Sequence, residues 1–362
     1  MKTKQTLKVE DSAELSMPRR KTIRISQEEL VQMSALEKDL PLLIQPKVKG
    51  VDPIAWARNN RALVEEKVLS YGALLFRGFE IVTAEAFQWF IEALSGPLLE
   101  YRERSSPRSF VSENIYTSTD HPPAYSIFLH NENSYQQRWP MKIFFFALHP
   151  SQQGGETPIA DCRRIFRRLA PEIKERFMRK KWMYVRNFGD GFGLDWQTVF
   201  QTSNRSEVEI YCNSAGINFE WKPGNRLRTW AVRPAVAQHP RIGEMTWFNH
   251  ATFFHVSTLE PQARTALLAE FSEMDLPTNS YYGDGSPIEA DILEELRAAY
   301  RQETVAFAWQ QGDVLMLDNM LVAHGRAPFV GPREILVGMS QPMSWEEIQK
   351  EERGCRDAER NG

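Results

Sequence analysis

The stretch Gly312-Asp313-Val314-Leu315-Met316-Leu317-Asp318-Asn319-Met320-Leu321-Val322-Ala323-His324-Gly325-Arg326 reads as an apolar strand that delivers one histidine to a turn. It has a counterpart upstream in His130-Asn131-Glu132. Side chains two apart on a strand share a face, so this spacing predicts that His130 and Glu132 aim at one point while Asn131 turns away.

With His324 the set becomes two imidazoles and one carboxylate. Held on one side of a ferrous ion, that set leaves the other positions open for a cosubstrate and dioxygen. The dyad alone is weak: 7 histidines and 47 acids in 362 residues give about one His-x-acid by chance, and this chain has one. Its neighbours strengthen it. After the apolar run from Ile143 to Leu148, the turn at Gly154-Gly155 leads to Thr157, placing a hydroxyl on the next strand. Arg333 opens the alternating stretch Arg333-Glu334-Ile335-Leu336-Val337-Gly338-Met339, where a planar guanidinium can grip a carboxylate with two parallel bonds.

From about Asp52 to Met343 the chain resembles the TauD/TfdA superfamily of Fe(II)- and 2-oxoglutarate-dependent dioxygenases, especially its SyrP-like branch. Residues 71–79, His130-Asn131-Glu132, Gly154-Gly155-Glu156-Thr157, residues 184–189, Phe248-Asn249-His250 and the run from Asp318-Asn319 to Arg333 carry the likeness in order. The resemblance implies His130, Glu132 and His324 as iron ligands, Arg333 as the salt-bridge partner of the distal 2-oxoglutarate carboxylate, and Thr157 as a hydroxyl donor to it. It further implies consumption of dioxygen and hydroxylation of an unactivated C–H bond, with desaturation or cyclisation as variants. Glu132 stands where most of the superfamily has Asp, as in clavaminate-synthase-like members, and its presence argues against halogenation. The interval from His324 to Arg333 is slightly short, and Glu334 follows where some relatives have a second basic residue, so Arg326 remains a rival for the cosubstrate carboxylate.

The SyrP-like branch points to an amino acid substrate in natural-product biosynthesis, often held as a thioester on a peptidyl carrier protein. The arginines Arg163, Arg164, Arg167 and Arg168 are candidates for the basic surface such a carrier would meet, against a plainer reading as the solvent face of a helix. A free small acid, either an amino acid or a sulfonate, is the alternative within the enzyme class. A non-catalytic regulator with the same fold should have lost a ligand or the arginine, and none is lost. A zinc hydrolase would use the same three ligands but leave Thr157 and Arg333 without a task.

A net charge of -3 and a pI near 6.2 give no electrostatic case for nucleic acid. Cys162, Cys212 and Cys355 lack metal-ligand spacing and an even disulfide framework, which fits a reducing cytoplasm. Neither a secretory leader nor a membrane-length apolar run is present in the sequence as given, so no membrane partner is expected; oligomeric state is not legible.

The expected fold class is mainly β with helical insertions, a double-stranded β-helix or jelly roll, built on strands that include Ile143 to Leu148, Met245 to Phe248, Val314 to Leu317 and Ile335 to Met339. Residues 1–21 read as a polar tail, 22–346 as a single catalytic domain and 347–362 as a charged tail. Helices are expected from Asp52-Pro53 to Tyr71, from Thr83 to Gly96-Pro97, over Arg163 to Arg179 and Thr258 to Phe271, and over Pro287 to Tyr300 behind a Ser286-x-x-Glu289 capping box. On the substrate side, Arg186 is a candidate carboxylate contact beneath a lid hinged at Gly189, Gly191 and Gly193, with a structural ion pair equally favoured. Asn249 is a candidate contact weighed against turn chemistry, while His250 and His255 have no partner at ligand spacing and are read as non-ligands.

Overall fold

A computed structural model of the chain describes residues 30–100, 108–112 and 114–348. The expected tail 1–21 and nearly all of 347–362 lie outside them, as does Cys355.

Two sheets face each other in the jelly-roll arrangement. The larger runs, in spatial order, Val31–Ala35, Leu42–Pro46, Ala73–Phe76, Val314–Asp318, Arg138–His149, Glu334–Ser344, Ile115–Thr117 and Phe110–Ser112. The smaller runs Thr304–Val305, Ile159–Asp161, Val322–Arg326 and Ile127–His130. The central strands of the larger sheet read as unbroken apolar runs because both of their faces are buried. Leu75, Ile143, Phe145, Leu315 and Leu317 pack towards Ile159 and Val322 of the smaller sheet. Their neighbours Leu74, Phe76, Phe144, Phe146 and Met316 pack on the other side, among Trp56, Val68, Phe87 and Phe90 of the N-terminal helices.

The stretch Gly312 to Arg326 is therefore two strands rather than one. Val314–Asp318 belongs to the larger sheet, Val322–Arg326 to the smaller, and the chain changes sheet at the turn between them. Asp318 fixes that turn: its Oδ1 accepts from the backbone N–H of Met320 and Leu321, and its Oδ2 from buried Lys142 Nζ at 2.8 Å, with His239 Nε2 3.3 Å away. Burial opposes ionisation of Asp318, but Lys142 and His239 hold its carboxyl below the usual carboxylate range. Replacing Lys142 with alanine removes one partner of a fully buried pair, and a loss of about 3–5 kcal/mol of stability is expected in urea unfolding.

The helices follow their signals with local breaks. Asp52 caps Pro53–Asn59, but Asn60 interrupts the expected single helix and Arg61–Tyr71 continues to Gly72. Thr83 caps Ala84–Ser95, with Phe87, Phe90, Ile91 and Leu94 buried as expected. The run from Arg163 to Arg179 splits into Cys162–Arg168 and Pro171–Lys180, because proline cannot continue a helix from Leu169-Ala170. Helix Pro261–Glu270 starts three residues later than expected. Ser286 and Glu289 form no capping box: the helix is Ala290–Glu303, Glu289 is its N-cap residue, and Ser286 bonds Asp284 instead. An inserted antiparallel sheet of Asn218–Lys222, Arg226–Arg233, Trp182–Phe188 and Thr278–Tyr282 stands beside the jelly roll. Among the described residues no helix is long and apolar enough to cross a membrane.

Candidate active site

The smaller sheet sets two histidines side by side. His324 on Val322–Arg326 lies in register with His130, the last residue of Ile127–His130, and their rings are 4.6 Å apart between centroids. The close approach of the two strands depends on Gly325, where a Cβ would come within 2.5 Å of the Ile127 carbonyl oxygen. His130 Nδ1 lies 2.9 Å from the Phe128 carbonyl. A carbonyl only accepts, so the proton is on Nδ1 and the lone pair on Nε2 is left for an ion.

Glu132 reaches the same place by another route than the one its spacing suggested. The strand ends at His130, so Glu132 sits in the following turn and owes nothing to strand alternation. Asn319, in the sheet-changing turn, holds it: Asn319 Oδ1 accepts from the Glu132 N–H at 2.8 Å and Nδ2 donates to the Glu132 carbonyl at 2.8 Å. One amide thus joins the turn ahead of His324 to the turn after His130. Donor atoms of His130, Glu132 and His324 all lie within 4.8 Å of one another, the one such group of three among the described residues.

The electrostatics suit a cation. Burial first, then His324 and Arg108, lower His130 to about 3, so its imidazole is neutral at physiological pH. Burial works against the Glu132 anion, yet Arg108 and the His324 contact keep its carboxyl well below the usual range. His324 Nε2 is 3.7 Å from Glu132 Oε2, and its Nδ1 is buried without a hydrogen-bond partner among the described residues. The neutral His130 imidazole, the His324 imidazole and a carboxylate held ionised form a donor set that fits a divalent iron.

His130 and His324 of the triad line a cavity of about 600 Å³, together with Thr157, Arg108, Arg326 and Arg333. Phe145, from the inner face of the larger sheet, floors it 5.0 Å from the His324 ring. The two rival arginines differ in what they already hold. Arg326 donates to the backbone carbonyls of His121, Pro122 and Tyr125, each at 2.6 Å. Arg333 spends only Nε, on the Gly155 carbonyl at 3.0 Å, and its Nη groups make no hydrogen bond among the described residues. Gly155 permits this seat, since at φ +73° a Cβ would press on Arg333 Cδ and Nε at 3.0 Å. Burial, then Arg326, lower Arg333 to about 10 against the opposing pull of Glu156, so it stays cationic at neutral pH. Thr157 lies just ahead of strand Ile159–Asp161 rather than on it; its Oγ1 accepts from Trp309 Nε1 at 3.3 Å, leaving the hydroxyl hydrogen to donate.

Other candidates fall away from the cavity. Arg186 lies within Trp182–Phe188, its guanidinium over the Phe188 ring, and does not line the cavity, whereas Phe192 and Gly193 of the glycine loop do. Asn249 is spent on the Ala235 carbonyl and the Ala251 N–H, which is turn chemistry. His250 packs behind His130, hydrogen-bonded to Ser134 Oγ at 2.6 Å. The four arginines offered to a carrier protein are paired within the chain: Arg163 is buried on Asp161, Arg164 is near Asp39, and Arg167 and Arg168 meet Glu244 and Glu303. Arg108 and the wall of Phe253, Phe254, Leu259 and Leu267 escaped the sequence reading, because neither carries a local pattern.

His255 also lines the cavity; its Nδ1 accepts from the Ser257 N–H at 3.1 Å, and burial, then Arg297, lower it to about 4. Between pH 6.5 and 4 only the unfolded chain takes up this proton, so stability is lost as pH falls through that window. His255→Asn keeps a capping acceptor without the titration. Urea unfolding of the metal-free protein should show the variant losing about 2 kcal/mol less than the parent between pH 7 and 4.5.

Comparisons with known proteins agree with this geometry. The profile described as taurine catabolism dioxygenase TauD, TfdA family, matches residues 37–339. The dapdiamide synthesis protein DdaC of Enterobacter agglomerans is 41% identical over 280 residues, covering 77% of this chain and 85% of that protein. A clavaminate synthase-like protein of Arabidopsis thaliana is 30% identical over 278 residues, covering 74% and 81%. In fold the chain is similar to the crystal structure of PvcB from Pseudomonas aeruginosa, with a TM-score of 0.51, 18% identity and coverage of 86% and 91%. The chain belongs to the TauD/TfdA family and is an Fe(II)- and 2-oxoglutarate-dependent dioxygenase.

Proposed function

We propose that the enzyme hydroxylates an unactivated C–H bond of an amino-acid-like small molecule in a biosynthetic pathway. His130, Glu132 and His324 hold the iron, and Arg333 with Thr157 grips the distal carboxylate of 2-oxoglutarate. The observation that carries this reading is one cavity lined by the two histidines of the triad and by an arginine whose Nη groups make no hydrogen bond among the described residues, while its neighbour's are committed. The naming of a 41% identical relative for dapdiamide synthesis supports the biosynthetic setting.

When bound, iron and 2-oxoglutarate supply the activation of dioxygen, with the 2-oxo acid oxidised to succinate and carbon dioxide. The chain's own part is placement. His130 is fixed in tautomer by Phe128, Glu132 in position by Asn319, and Arg333 in orientation by Gly155. The apolar wall and Phe145 keep water from the reacting carbon and align the bond to be cut.

The test is succinate release from Fe(II), dioxygen and 2-oxoglutarate, with free amino acids in one arm and the same amino acids loaded on a peptidyl carrier protein in the other. Stimulation in either arm, with a product heavier by one oxygen atom, supports the proposal and identifies how the substrate is presented. Succinate release that no amino acid stimulates in either arm contradicts the amino-acid reading.

A further inference from the structure

One wall of the cavity is apolar and comes from a single stretch of chain, with Phe254, Val256, Leu259, Ala263 and Leu267 lining it. His255 lines the cavity from the same stretch, and its hydrogen bonds fix where its proton sits. The Ser257 N–H, which can only donate, lies 3.1 Å from His255 Nδ1. Ser257 Oγ lies 2.7 Å from the same nitrogen and accepts from Arg297 Nη2, so its own hydrogen is left for Nδ1. Nδ1 is therefore an acceptor, and the neutral ring carries its proton on Nε2. Burial, then Arg297, keep the ring neutral at physiological pH. Nε2 makes no hydrogen bond among the described residues. Thr258, which also lines the cavity, has already given its hydroxyl hydrogen to the Thr252 carbonyl at 2.5 Å.

A donor with no acceptor capacity beside it calls for an acceptor on the guest. Burying a net charge against an apolar wall is costly, whereas a carbonyl oxygen there is satisfied by one N–H. A single placed donor in such a wall orients the guest and rejects one that lacks the acceptor. We propose that the Nε2–H of His255 is a substrate contact that recognises an uncharged carbonyl oxygen, of an amide, ester or thioester, on a substrate with an apolar body. The inference deepens the function proposed above and rests on its placement of iron and 2-oxoglutarate.

The experiment loads the full-length protein with Mn(II) and 2-oxoglutarate, which binds without turnover, and titrates it by calorimetry with N,N-dimethylphenylacetamide and with the corresponding thioamide. The two probes have nearly the same shape, and sulfur is the weaker acceptor. The amide should bind about fivefold more tightly, the worth of one hydrogen bond. His255→Asn keeps an acceptor for the Ser257 N–H but ends short of Nε2, and His255→Phe keeps a ring without the donor; both should lose the preference. If His255 served only its turn, the Asn variant would retain the preference, and if only ring bulk mattered, the Phe variant would. Either result overturns the proposal, as does equal binding, or no binding, of the two probes by the parent. Failure of 2-oxoglutarate to bind the parent would instead count against the cosubstrate reading on which the proposal stands.

Discussion

Glu132→Ala is expected to lower metal affinity by about 100-fold or more and to reduce turnover to background. The substitution removes the one anionic donor of the triad, and changes to the surroundings of a ligand alone already cost about 10–100-fold. A second effect follows from Arg108. Its guanidinium and the Glu132 carboxylate form a buried pair, so truncating Glu132 is also expected to cost the metal-free protein about 3–5 kcal/mol. Glu132→Gln separates the two effects: its amide oxygen still accepts from Arg108, so it should recover most of the stability and none of the turnover. Calorimetric Mn(II) binding, urea unfolding and succinate release measure the three quantities. Undiminished hydroxylation by the Ala variant would remove Glu132 from the metal centre.

The second large effect divides Arg333 from Arg326. Arg333→Ala is expected to raise the 2-oxoglutarate concentration needed for half-maximal activity by about 100-fold, since a bidentate, partly buried guanidinium–carboxylate pair contributes about 3 kcal/mol. Stability should change little, because Arg333 makes one backbone hydrogen bond. Arg326→Ala reverses the pattern. It strips donors from three carbonyls in the segment His121 to Tyr125, and a loss of about 2–4 kcal/mol is expected with a much smaller change in the cosubstrate requirement. Titrating 2-oxoglutarate against both variants, alongside thermal unfolding, reads both quantities; the opposite ranking would hand the carboxylate to Arg326.

Legibility from sequence followed the range of each interaction. Strands such as Val314–Asp318 announce themselves by composition, and the caps at Asp52 and Thr83 by residue type, because those signals are local. The two histidines were readable as residues, and their cross-strand pairing explains why they meet. Glu132 was identified for a reason that the structure replaces: it lies past the end of the strand and is aimed by Asn319, 187 residues away. No periodicity reports such a contact, and the same holds for Arg108, whose partner is 24 residues on. The arginines of Cys162–Arg168 read as a solvated face, and Arg167 and Arg168 are exposed as that reading expects; Arg163 departs from it, buried on Asp161 by an ion pair that pattern cannot see. The single strand expected from Gly312 to Arg326 was divided by the turn that Asp318 stabilises, a division carried by hydrogen bonds within an apolar run rather than by glycine or proline.

The measurement that bears most directly on the central claim is the anaerobic visible spectrum of the protein with Fe(II) and 2-oxoglutarate, taken for the parent and for Glu132→Gln and Arg333→Ala. The parent should show the weak metal-to-ligand charge-transfer band of a chelated 2-oxo acid. Glu132→Gln should lose it, and Arg333→Ala should regain it only at much higher 2-oxoglutarate. A folded, iron-loaded parent with no such band would contradict the assignment of this cavity to iron and 2-oxoglutarate.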